Sequence, residues 1–166
     1  MEEADQKNSQ YKLPLGEEVN LMEQEARMIL PGIQTLFGFQ LIAVFNQSFK
    51  ILLTPSEQYL HLASLLLVVI SGILVSAPAA YHRQAHHHIS SHFIRLGSRF
   101  LTLALIPLTL GTCLDIYIVS WIITSSVVAS GIISVLLFCI YLGIWFVFPR
   151  KRAKKILQLP VKELKK

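Results

Sequence analysis

Apolar residues fill positions 100–148 almost without a break, and the one charge among them is Asp115. As a single helix this stretch would be roughly 74 Å long, more than twice the ~30 Å hydrocarbon core of a bilayer, so it has to fold back on itself. It divides into spans at about 100–117 and 126–148, with a turn between Val119 and Ser125. A less apolar first half divides in the same way, into spans at 28–49 and 59–81 joined by the Pro55-containing turn. The pattern predicts an all-α membrane protein: a four-transmembrane-helix bundle (28–149) made of two helical hairpins. Before it, Val19, Met22 and Ala26 share one helical face with glutamates opposite, which predicts an N-terminal amphipathic interfacial helix over 15–27. Residues 1–14 are polar and acidic and are expected to be disordered.

Polar and small positions subdivide the spans. In the first, Arg27, Pro31, Gln34, Gly38 and Leu41 recur at spacings of three and four, a stripe expected to face protein and not lipid. In the second, Gly72, Ser76 and Ala80 form a small-xxx-small ridge suited to close helix contact, and Ser56 is placed to cap the helix start. Ser126, Ser130 and Ser134 form a similar ridge in the fourth, expected to pack the second hairpin against the first. Pro107 predicts a kink or opening in the third. Trp121 and Trp145 fall where interfacial belts are expected.

Composition agrees with a membrane location. Hydrophobic residues make up 53% of the chain and charged residues 15%, against about a quarter in soluble domains. The formal charge of +5 is segregated, with an acidic segment before residue 27 and eight of the fifteen Lys and Arg in residues 150–166. That basic tail, with Arg150, Lys151, Arg152, Lys154 and Lys155 directly after the last span, reads as an anchor to anionic lipid headgroups; nucleic acid is not an expected partner. Arg83, Arg95 and Arg99 lie in the middle loop, so the positive-inside rule places both termini in the cytoplasm. The opening segment lacks the basic-then-apolar order of a cleavable signal, and the first span is expected to direct insertion.

The candidate chemistry is sparse. Asp115, roughly 22 Å along the third span, is costly as a free charge in hydrocarbon and is expected either to hold a partner or proton or to be wetted at the outer boundary. Arg27, Gln34, Gln40 and His82 are the other candidates for an ion or proton pathway, the amides being equally suited to interhelical hydrogen bonds. His61 reads as an interfacial residue. The middle loop is rich in histidine, and the i,i+4 pairs His82 with His86 and His88 with His92 have the spacing to chelate a transition metal, although a closed site needs further ligands; a solvated connector and a pH-sensing loop are the competing readings. Cys113 and Cys139 read as small packing residues. With no HExxH, no nucleophile and base at motif spacing and no glycine-rich phosphate loop, the chain is not expected to be an enzyme or to bind a cofactor.

The elements Glu25-x-Arg27, Pro31-Gly32-x-Gln34-x-Leu36-Phe37-x-Phe39 and Ala77-Pro78-Ala79-x-Tyr81-His82-Arg83 resemble a bacterial family of short four-span integral membrane proteins known only by a domain-of-unknown-function label. The resemblance covers roughly residues 23–115 and implies the four-span architecture and a bacterial inner-membrane home. Some members carry a sodium/proton antiporter name. Histidines 86–88 and His92 depart from the pattern, so a histidine mechanism does not extend to the family. Two function classes follow: a small proton- or cation-linked channel or transporter acting as an oligomer, or a non-catalytic membrane scaffold or accessory subunit.

Overall fold

A computed structural model describes residues 14–84 and 91–151. The remainder of the acidic segment, His86, His88 and the basic residues Arg152, Lys154 and Lys155 lie outside the described residues. Helix α1 spans Leu15–Phe45, a short α2 spans Gln47–Leu52, α3 spans Pro55–Gln84, α4 spans Ser91–Thr124, and α5 spans Val127–Leu142. After α5 a single π-helical turn, Gly143–Val147, carries the last helix on to Lys151. Four of these helices are long and apolar enough to cross a membrane. The protein is an all-α, multi-pass membrane bundle.

Its centre is the antiparallel pair α3 and α4. The buried face of α3 is Glu57, His61, Ser64, Val68, Ser71, Val75 and Pro78, a strict alternation of four and three residues. That spacing keeps one seam turned towards a neighbour, as in a coiled coil. The matching face of α4 includes Gly97, Leu101, Ala104, Gly111, Asp115 and Ile118. Small residues on both sides bring the backbones together, and hydroxyls bond across: Ser64 Oγ donates to Gly111 O at 2.9 Å and Ser71 Oγ to Ala104 O at 2.8 Å. A side chain at Gly111 would meet Ser64 O and Val68 Cγ2, each at 3.1 Å. The ridge Gly72, Ser76 and Ala80 is not this seam. Gly72 faces Ile33 of α1, while Ser76 and Ala80 are exposed.

Helix α1 packs across the α3–α4 pair, burying Ile33 against Val68, Val75 and Ala104. The amphipathic segment 15–27 is helical and continuous with the first span, and Val19 and Met22 sink against Phe93 and Leu101. The segment thus packs beneath the bundle. The expected polar stripe of α1 behaves differently: Pro31 and Gln34 face outward and Ile33 faces in. Helix α5 lies at the periphery on α4, where Ser134 Oγ donates to Cys113 O at 2.8 Å and Ser130 is fully buried. The serine ridge therefore closes its own hairpin and not the contact with the first half.

Two boundaries differ from the sequence reading. Helix α4 does not end near residue 117 but continues through Thr124, because Asp115 is turned inward and gives no reason to break; the reversal comes at Ser125, whose φ of 50° is left-handed. At the start of α3, Thr54 and Glu57 form the cap in place of Ser56: Glu57 Oε2 accepts from Thr54 N at 2.7 Å and from Thr54 Oγ1 at 2.9 Å. Both Pro78 and Pro107 lie within continuous helices.

Gly111→Val should destabilise the bundle by about 1–3 kcal/mol through overpacking at the backbone contact. Gly131→Val is the control, since nothing lies within 4 Å of a Cβ there. Unfolding in detergent micelles, followed by helicity, should separate the two; equal stability would contradict the assigned seam.

Candidate functional site

The polar atoms of the bundle converge near the end formed by the α3 N-terminus. His61 lies six residues, or roughly 9 Å, inside α3, and Asp115 lies nine residues, or roughly 14 Å, before the end of α4. Heptad spacing puts both on the seam, so each faces the other and not lipid. Gln40, a lone amide in an otherwise apolar turn of α1, points inward and completes the set; it is 4% exposed. The His61 and Asp115 side chains are 9% and 18% exposed.

The bonds have a definite direction. Gln40 Nε2 donates to Asp115 Oδ2 at 2.7 Å and to Ser64 Oγ at 2.8 Å, and the Ser64 hydroxyl in turn donates to the Gly111 carbonyl. Both amide hydrogens of Gln40 are thereby used, which orients the group and leaves Gln40 Oε1 buried without a donor. His61 Nε2 lies 3.0 Å from the Gln40 backbone oxygen. A carbonyl can only accept, so this nitrogen carries a hydrogen. The other ring nitrogen, Nδ1, faces Asp115 Oδ1 at 3.6 Å.

Those two contacts constrain the proton inventory. With Nε2–H committed to Gln40 O, a neutral imidazole presents the Nδ1 lone pair to a carboxylate oxygen, which is repulsive. One more proton removes the conflict, either as imidazolium with carboxylate or as imidazole with carboxylic acid. Asp115 Oδ1 has no hydrogen-bond partner among the described residues, in keeping with that demand. The His61–Asp115 pair is therefore built around one exchangeable proton. Its loss leaves His61 a choice between facing Oδ1 with a lone pair and moving its hydrogen to Nδ1, which gives up the bond to Gln40 O, one of two hydrogen bonds between α3 and α1. The Phe49 ring of the α2 segment meets His61 edge-on, with centroids 5.2 Å apart.

Sequence reasoning named Asp115 and Gln40, and the structure brings them into direct contact. It read His61 as an interfacial residue and did not single out Ser64, although the 57-61-64-68-71-75-78 alternation carried the signal. The other pathway candidates lie elsewhere. Arg27 is on the surface, 3.7 Å from Glu23. Gln34 is exposed on the outer side of α1. His82 is at the opposite end of α3, 21 residues or about 32 Å from His61, beside the Phe93 ring at 5.4 Å. His92 is exposed, and among the described residues no three His, Cys, Asp or Glu side chains are grouped to hold a metal. Cys113 and Cys139 are both free thiols. Of the basic anchor, Lys151 is exposed and Arg150 lies over the Phe146 ring, 6.0 Å from its centroid.

The sequence profile of DUF6328, a family of unknown function, matches residues 17–149 and so takes in all four spans. The chain belongs to that family. No curated protein and no solved structure matches it. Membership agrees with the multi-pass architecture, while any activity of this DUF6328 protein has to be argued from its own side chains.

Gln40→Leu should cost about 1–3 kcal/mol, because it strips the donor from the Asp115 carboxylate and from Ser64. Adding Asp115→Leu should recover part of that loss, since both buried polar partners are then gone. A double-mutant cycle of unfolding free energies in micelles checks this; strictly additive losses would show that the two residues do not act as a pair.

Proposed function

We propose that this protein is a small proton-linked transporter or channel of the bacterial inner membrane, working as an oligomer, with the His61–Asp115 pair as its proton site and no enzymatic chemistry. The observation that carries the reading is the pair's geometry: one ring nitrogen bonded to the Gln40 carbonyl, the other turned to a carboxylate oxygen that has no donor. A titratable pair inside a membrane bundle is expensive to keep and is commonly retained to move or sense a proton. Here its occupancy decides whether one of the two hydrogen bonds between α3 and α1 is kept, which ties protonation to the contact between the two helices. Gln40 Oε1 and Asp115 Oδ1 also offer two buried acceptor oxygens suited to a small cation, which keeps cation coupling within the same proposal.

The positive-inside rule supports an orientation with both termini cytoplasmic, since Arg27, Arg83, Arg95, Arg99, Arg150 and Lys151 gather at one end of the four long helices and Lys50 lies near the other. The proton site then lies nearer the outer side. Oligomerisation is supported by Gln34, an exposed membrane-span amide without a hydrogen bond among the described residues, next to Gly38 with open space above its Cα. A second copy would satisfy that amide.

One observation favours the scaffold reading instead. Between the proton site and the opposite end, Ile33, Val68, Val75 and Ala104 pack into an apolar plug. A bundle held in this state is a rigid anchor for partners, with Asp115 serving as a polar clamp.

Reconstituted vesicles holding a pH-sensitive dye discriminate the two. An outside acid pulse, with and without sodium, should acidify vesicles containing the native protein faster than empty ones, and His61→Gln and Asp115→Asn should each return the rate to that of empty vesicles. Native vesicles no faster than empty ones would remove transport and leave the scaffold.

A further inference from the structure

At the end of the bundle opposite His61, a cleft of about 470 Å³ opens between α1, α3 and α4. Its size falls within the range of small-molecule sites. Small residues from both sides line it, Ala26 on α1 and Ser76 and Ala79 on α3, with Pro78 beside them. The interior is apolar, with Leu30, Val75 and Leu101. The rim is charged, with Arg27, Glu23 and Arg83. Apolar wall and ionic rim follow the membrane normal: Leu30 is one turn inward from Arg27, and Val75 lies eight residues, or roughly 12 Å, inward from Arg83.

The two arginines are available for a ligand. Arg83 makes no ion pair or hydrogen bond with any described residue, and the Arg27–Glu23 pair, at 3.7 Å with side chains 81% and 43% exposed, is too open to hold Arg27 firmly. A guanidinium pair above an apolar slot matches a phosphodiester carrying an acyl chain. Glu23 adds selectivity, because it repels a dianionic free phosphate and can accept from a headgroup hydroxyl.

We propose that this cleft is a binding site for one anionic glycerophospholipid, its phosphate held between Arg27 and Arg83 and an acyl chain laid along Leu30, Val75 and Leu101. The site is independent of the proton pair. It also explains why the Arg27 and Pro78-to-Arg83 stretches, far apart in the chain, are built to meet: they form the two sides of one slot. The basic residues after the last span attract the same lipids diffusely, by charge alone, whereas the cleft requires headgroup and chain together.

The test uses the full chain in a neutral detergent, with phosphatidylglycerol added and bound lipid counted by native mass spectrometry. The native protein should retain phosphatidylglycerol over phosphatidylcholine, and Arg83→Gln should weaken retention roughly tenfold, as expected for loss of one charge-assisted contact. Ser76→Trp, which fills the slot, should abolish it. The combined Arg150→Gln and Lys151→Gln variant should retain lipid as the native protein does. Arg83 is exposed, so its variant carries the test even if the Trp variant fails to fold. Retention unchanged in Arg83→Gln, loss in the Arg150 and Lys151 variant to the same degree, or displacement of lipid by glycerol 3-phosphate at equal concentration would each overturn the proposal.

Discussion

A carboxylate inside a membrane bundle cannot be left alone, and the arrangement of three of the long helices follows from how Asp115 is accommodated. Desolvating a carboxylate costs several kcal/mol unless donors replace the lost water. The partners come from different helices: the Gln40 amide of α1 donates to one carboxylate oxygen and the His61 ring of α3 faces the other at 3.6 Å, with Ser64 and the Gly111 carbonyl extending the network back to α4. Each bond fixes a helix in rotation as well as in height. Apolar packing alone would define neither sharply in a bilayer, where lipid tails compete equally well for an apolar face.

That constraint accounts for features that otherwise look unrelated. Glycine at position 111 lets the α4 backbone come close enough for Ser64 to reach its carbonyl, and Ala104 plays the same part for Ser71. Helix α4 continues past Asp115 because the residue is turned inward and satisfied there. The short α2 and its Phe49 ring cover the site beside His61. By contrast α5, which contributes no side chain to the network, lies on the outside of α4 with little of its surface buried. Its serines serve only to close the hairpin.

The architecture was legible from hydropathy because the bilayer imposes a length scale that four segments met. Rotational setting was harder to read. A polar stripe on α1 suggested that Gln34 faces protein, but Gln34 and Gln40 are six residues apart and so lie on different sides of the helix; only the second finds hydrogen-bond partners among the described residues. On α3 two small-residue patterns compete, Gly72-Ser76-Ala80 and the longer Ser64-Val68-Ser71-Val75 alternation. Length decides between them, since only the longer one runs the whole span and keeps pace with a supercoiled neighbour. The same alternation contains His61, whose nearness to the chain turn made it read as an interfacial residue. Burial of an imidazole depends on what α1 and α4 place opposite it, and a single helix carries no record of that.

The two ends of the bundle solve opposite electrostatic problems, and the distance between them matters. Near the α3 N-terminus a titratable pair is enclosed by donors and acceptors and shielded from lipid. About 33 Å away along α3 lies Arg83, which with Arg27 of α1 lines an open cleft. That separation is close to the thickness of the hydrocarbon core, and the apolar packing of Ile33, Val68, Val75 and Ala104 occupies the middle. Coupling across such a layer cannot run through charge, because the intervening residues carry none. It has to run through helix position, and α1, α3 and α4 each reach both ends: Gln40, His61 and Asp115 at one, Arg27, Arg83 and Leu101 at the other. The cleft shares no residue with the His61–Asp115–Gln40 network, so the helices themselves are what the two ends have in common.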